Sequence, residues 1–241
     1  MYHQIKSILG LFLSSVTQLK SDAVKYLFYS GILALFVFTS IIYLTWKFAG
    51  AAGDKIAEWI PWTWAHESMV FSFIVGVTVI VLVFMLMKYI LLILMSPLLS
   101  IVSEKAEKHM TGIIGGAGFS FTRSASRSVR INLRNLVKES VFTILLLIMG
   151  LVPGINIMVL PLIFIVQAYF TGFGIMDFYL ERHYTFGQTI PLVYKNKWAS
   201  ITLGTIFMTL FFIPVVGVIV APYFTTVTGT RYFISKFEKI K

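Results

Sequence analysis

Long stretches without charge alternate with short charged segments along this chain, and the stretches have the length of membrane spans. Val24 to Ala49 holds 26 residues and carries charge only at Lys25 and Lys47, near its ends. Ser68 to Met87 holds 20 uncharged residues. At 1.5 Å per residue, either is long enough to cross a hydrocarbon core of about 30 Å. Two further stretches are longer: Ser140 to Met176, with 37 residues, and Trp198 to Thr230, with 33. Each is broken near its middle, at Leu151-Val152-Pro153-Gly154 and at Ile213-Pro214-Val215-Val216-Gly217. Pro153 and Pro161 are eight residues apart, as are Pro214 and Pro222, which marks a degenerate internal repeat. The pattern fits two complete crossings, or two hairpins of shorter helices that dip into the membrane and return. Non-helical backbone at membrane depth requires protein or a water-filled cavity around it, so paired breaks of this kind point to a transport site.

The remaining segments punctuate these stretches. Ile5, Ile8, Leu9, Phe12, Leu13 and Val16 share one helical face and leave Ser7, Ser14 and Ser15 off it, which predicts an amphipathic N-terminal helix lying on the bilayer. Ser21-Asp22 supplies N-cap oxygens for the first span, and Gly50 and Gly53 stop it. Trp59, Trp62 and Trp64 lie around Pro61 in the next loop and suit the headgroup level. Ser96-Pro97 is expected to kink or end the second span. Thr111 to Gly118, with four glycines, lacks the strand and lysine of a phosphate loop and reads as a flexible connection. The chain therefore reads as one all-α membrane domain over residues 1–241. It has an interfacial helix over 1–20, transmembrane helices over 24–49 and 68–96, a basic helix over 119–138, and broken hairpins over 140–176 and 198–230.

Composition sharpens this picture. The chain is 58% hydrophobic and 12% charged, against about 45–50% and 25% in soluble domains. Its net charge of +10 suggests anionic lipids and cytoplasmic loops, with an anionic substrate next. The basic residues do not form a soluble nucleic-acid-binding module. With no cysteine, disulfides and thiol chemistry are excluded. Eight Lys or Arg fall in 88–139, three in 177–197 and four in the C-terminal segment, whereas the tryptophan loop carries one Lys and three acids. If both broken stretches dip and return, every basic segment shares one side, the cytoplasmic one by the positive-inside rule.

Candidate chemistry is sparse. Arg123, Arg127, Arg130 and Arg134 recur at i, i+4, i+7 and i+11 along one helix face. They read either as an electropositive groove for anions or as a stripe facing anionic headgroups. Asp177 and Glu181 share a helix face beside Arg182 and His183, which suits a local carboxylate–arginine network joining the hairpins. No nucleophile elbow, H-E-x-x-H or phosphate loop occurs, so no catalytic residue, metal site or cofactor is expected and the chain does not read as an enzyme.

Several landmarks, taken together, resemble the CysZ-type sulfate permease family, which includes the etoposide-induced membrane proteins. They are Leu94-Met95-Ser96-Pro97-Leu98 with Glu104 and Glu107, and the arginine stripe before Val152-Pro153-Gly154. Further along come Asp177-Phe178-Tyr179 with Arg182 and Tyr184-Thr185-Phe186, then Asn196-Lys197-Trp198 with Leu203-Gly204, Ile213-Pro214, and Ala221-Pro222 to Thr230-Arg231. The resemblance implies two long spanning helices, two hemi-penetrating hairpins, a homo-oligomer in a bacterial inner membrane, and entry of sulfate for cysteine synthesis. It also implies a sulfate site in a Gly-Leu-Arg-Arg-like element just before the first span. Here that region reads Leu19-Lys20-Ser21-Asp22-Ala23-Val24-Lys25-Tyr26, without arginine, so Lys20, Ser21 and Lys25 are its candidates, with the free N–H groups of the helix start. The competing reading is a non-transporting membrane scaffold, or a lipid-associated protein, on the same fold.

Overall fold

The computed structural model describes residues 1–17, 25, 28–29, 31–40, 42–43, 47, 69–113, 115, 120–150, 154, 156–213 and 215–237. The tryptophan loop, Lys20 and Ser21 lie outside them. Among the described residues the fold is all helical: α1 (Tyr2–Thr17), α2 (Gly31–Ser40), α3 (Met69–Thr111), α4 (Phe121–Met149), α5 (Asn156–His183), α6 (Phe186–Lys195), α7 (Lys197–Phe211) and α8 (Val216–Phe237). Among the described residues two stretches, Met85–Thr111 and Ile157–His183, are long and apolar enough to cross a membrane, with mean hydropathies of 2.1 and 1.9.

Helix continues through two of the expected boundaries, each for a physical reason. Of the two outcomes expected at Ser96-Pro97, a kink or an end, the helix does not end there: α3 continues through Pro97 for 43 residues in all, roughly 64 Å. A proline inside a helix strands the carbonyl four residues earlier, here that of Ile93. The Ser96 hydroxyl donates to that carbonyl at 2.8 Å and takes the place of the missing N–H. The basic helix over 119–138 and the first arm of the hairpin over 140–176 are likewise one helix, α4. No break is needed at Lys138-Glu139, because Glu139 is paired with Lys88 of α3 and so is accommodated inside the bundle.

The chain does turn back at both interruptions. α4 and α5 pack side by side about a turn at Gly154, where φ is +91°. α7 and α8 do the same about Val215. The arms differ in length: α4 and α5 have 29 and 28 residues, whereas α7 has 15, about 22 Å and short of a bilayer core of about 30 Å. The two hairpins interlock through small residues. A Cβ at Gly172 would lie 1.9 Å from the Ser200 carbonyl oxygen, and one at Gly204 would lie 1.8 Å from that of Ala168. Ala168 and Gly172 on α5, with Ser200 and Gly204 on α7, form the small-xxx-small contact that lets membrane helices touch backbone to backbone. Around it gather Phe173, Leu203, Phe207 and Phe233.

The N-terminal helix α1 divides its apolar face. Ile8 is buried and Phe12 stacks edge-on against Phe224 of α8, while Leu9, Leu13 and Val16 stay exposed. Ser15, read from the pattern as lying off the face, is buried and returns its hydroxyl to the Leu11 carbonyl. α2 sets Gly31, Ala34 and Val37 inward, and Phe38 packs edge-on against Phe211.

Val215 stands at the tip of the second hairpin with φ of 62°, a left-handed conformation that is costly for a β-branched side chain. It is exposed, so removing its side chain loses no core packing. Val215→Gly is expected to stabilise the protein by about 1 kcal/mol, read as a raised melting temperature in detergent.

Candidate functional site

Helix α4 is built inside out. Its buried side is Ser124, Ser128, Ile131, Asn132, Asn135, Glu139 and Thr143, polar at every position but one. Its exposed side includes Val129, Leu133, Val137, Val141, Leu145 and Ile148. In water this arrangement would be unstable, since polar groups prefer solvent and apolar ones the interior. In lipid it is the expected one, and so extended an exposed apolar surface marks membrane contact. The buried positions form a polar seam from Ser124 to Thr143, nineteen residues of rise and about 28 Å, close to the thickness of a hydrocarbon core.

Among the described residues, three ion pairs and a carboxylate outside them lie on or beside the seam. At one end the guanidinium of Arg182 meets Glu107 at 2.8 Å, and donates as well to Ser103 Oγ and to the Ser100 and Phe178 carbonyls. His183 Nε2 lies 2.9 Å from the other oxygen of Glu107. Gly115 approaches both, and a Cβ there would lie 2.7 Å from each residue. Next, Arg127 grips Asp177 with two donors, Nε at 3.1 Å and Nη2 at 2.7 Å, and reaches Thr189 Oγ1 and the Tyr184 carbonyl with the rest of its fork. Among the described residues Glu181 has no basic side chain in ion-pair contact. Its Oε1 accepts from the Ser100 and Ser124 hydroxyls, and its buried Oε2 meets no protein donor among the described residues. Deeper in, Lys88 and Glu139 form a fully buried pair at 2.6 Å, and the Tyr89 hydroxyl donates to the second Glu139 oxygen at 2.6 Å.

The arginine stripe therefore divides. Arg127 is committed to Asp177. Arg130 is exposed and stacks on Phe186, 4.2 Å from the ring centroid. Arg134 is half-buried, lies 5.1 Å from the Phe173 centroid and donates to Asn135. Arg123 is exposed. Of the residues before the first span, Lys25 is helical and exposed. Asp177, Glu181 and Arg182 all lie in the buried polar cluster, but the contacts cross between helices. Asp177 is held from α4, Arg182 by Glu107 of α3, and Glu181 by serines of α3 and α4. Lys88 and Glu139 stand out least in the sequence: Lys88 falls within the expected second span and Glu139 between the basic helix and the first broken hairpin, and only the structure shows that they pair.

A second polar node ties the ends of the hairpins together. Asn196 accepts from the Tyr232 hydroxyl at 2.8 Å and from the Lys236 ammonium, and donates to the Leu192 carbonyl. Burial pushes the Tyr232 phenol up to about 12. Burial, and then the charge of Lys195, lowers the Lys236 ammonium.

Compared with known families, residues 11–222 match the family described as sulfate transporter CysZ/etoposide-induced protein 2.4. The match covers most of the chain, which belongs to that family. No curated protein matches it.

Proposed function

We propose that this member of the sulfate transporter CysZ/etoposide-induced protein 2.4 family passes inorganic oxyanions, sulfate foremost, across a bacterial inner membrane to supply cysteine synthesis. The observation that carries this reading is the buried polar seam of α4, which is as long as a membrane is thick and lined by hydroxyls, amides and paired charges. Asn132 Oδ1, Thr143 Oγ1 and Glu181 Oε2 are buried there without protein partners among the described residues, which suits a path that holds water. The basic residues near 120–134, 195–197 and 231–236 support a cytoplasmic position for both termini by the positive-inside rule. On this reading the two hairpins dip from that side and return. Exposed Arg123 and Arg130 gather anions at the mouth, with Lys20, Ser21 and Lys25 at the start of the first span and Arg134 further in. The exposed apolar faces meet lipid or a second copy of the chain in a homo-oligomer.

The mouth role has a direct test. Arg123→Glu with Arg130→Glu is expected to lower sulfate uptake several-fold at low salt, with an unchanged melting temperature and a deficit that shrinks as ionic strength rises. Uptake equal to that of the wild type would remove these arginines from the path.

A second reading, a non-transporting protein that associates with anionic lipids, draws support from the commitment of Arg127 to Asp177 and from the absence of arginine in Leu19–Tyr26. It predicts no flux, and binding to anionic liposomes that weakens with salt.

A further inference from the structure

Lys88 and Glu139 are each 0% exposed, on α3 and α4 respectively. Ionisable groups within a membrane are costly and mark ion paths more often than scaffolds. As a scaffold this pair has little merit, since well-packed apolar residues of the same size stabilise a buried position equally well or better. Its geometry is specific. A cation, Lys88 Nζ, and a hydroxyl donor, Tyr89, approach the two oxygens of one carboxylate, each at 2.6 Å. An ammonium and a hydroxyl aimed at adjacent oxygens form a clamp for one edge of an oxyanion. The edge of a sulfate presents two oxygens much as a carboxylate does. The seam continues on both sides of the clamp, through Asn135 one turn before Glu139 and Thr143 one turn after it. Both are fully buried, and the Thr143 hydroxyl has no partner among the described residues.

We infer that Lys88 and Tyr89 form an oxyanion-binding site inside the membrane, and that the Glu139 carboxylate occupies it as a tethered surrogate when no anion is bound. This inference rests on the transport reading and names the place where the anion stops. Two negative charges a few ångströms apart repel strongly in a low-dielectric site, so the carboxylate and the anion exclude one another. Glu139 then keeps the seam neutral at rest, and the anion takes its place on the same two donors.

The test uses the full chain in detergent. Glu139→Gln keeps the shape of the side chain, removes the competing charge and leaves Lys88 buried without a counter-charge, so this variant melts below the wild type. Sodium sulfate is expected to restore its melting temperature along a saturating curve. The K88M/E139Q double variant should show only the shift that sodium chloride produces at matched ionic strength, and the wild type, in which Glu139 competes for the same donors, a smaller sulfate-specific shift than E139Q. Equal shifts in all three proteins would overturn the site. If E139Q does not fold, K88M/E139Q decides, because an apolar-for-ionic exchange of this kind is tolerated. In liposomes it is expected to lose tenfold or more of the sulfate flux at an unchanged melting temperature, and flux equal to wild type would overturn the proposal. Absence of flux in the wild type itself would defeat the transport reading alone, because the melting titration of the clamp does not depend on transport.

Discussion

Replacing Arg127 with alanine is expected to destabilise the protein by about 3–5 kcal/mol, the cost of leaving a buried carboxylate without its counter-charge. The Asp177 side chain is 4% exposed and receives two donors from the Arg127 fork. The same guanidinium bonds Thr189 and the Tyr184 carbonyl, so one side chain joins α4 to the end of α5 and the start of α6. Lysine is a poor substitute, because a point charge cannot reach both carboxylate oxygens and the two outer acceptors from fixed positions. Removing both charges, as in R127M/D177N, should recover most of the loss, since the penalty comes from the unpaired charge rather than from the missing attraction. Thermal melting of the single and double variants in detergent measures this. Equal destabilisation by R127A and R127M/D177N would show that packing, and not charge pairing, governs the site.

Gly204→Leu is expected to have a comparable effect through sterics alone. Any Cβ at this position would lie 1.8 Å from the Ala168 carbonyl oxygen and 2.9 Å from the Gly172 amide nitrogen. Both are backbone atoms and neither can turn aside, so α5 and α7 must separate and the two hairpins lose their contact. Overpacking of a tight core costs about 1–3 kcal/mol, and a backbone clash lies at or beyond the upper end of that range. Gly204→Ala should already carry most of the penalty. Gly10 is the control: nothing lies within 4 Å of a Cβ there and it is helical, so Gly10→Ala should be neutral or gain up to about 1 kcal/mol. Loss of folded protein on size-exclusion chromatography for G204L, with G10A unaffected, is the outcome expected. A G204L protein that melts with the wild type would mean that these helices do not touch at this point.

The sequence made the membrane class and the helical turns legible for a simple reason: charge-free length and Pro-Gly breaks are local properties. The pairing of hairpins at Gly154 and Val215 follows from such signals. What the sequence hid is non-local. Pro97 looks like a kink or a stop because its i−4 carbonyl appears lost, and only the rotamer of Ser96 shows that the carbonyl is satisfied. The partnership of Lys88, within the expected second span, with Glu139 leaves no local signal, because a buried ion pair is apparent only when both partners, fifty-one residues apart, are seen together. The arginine stripe is regular in sequence, yet its four members have different fates. Asp177 on another helix claims Arg127, while Phe186 and Phe173 stack beneath Arg130 and Arg134. Glu181 and Arg182, adjacent in sequence, share Ser100 but otherwise diverge, Glu181 to Ser124 and Arg182 to Ser103 and Glu107.

Uptake of labelled sulfate into liposomes containing the purified full chain, compared with empty liposomes and with chloride and phosphate as competitors, tests the transport reading most directly. Saturable uptake that excess unlabelled sulfate blocks is the predicted result. Uptake no greater than that of empty liposomes, from protein shown to be folded and inserted, would contradict it and leave the seam a structural feature of a membrane-bound scaffold.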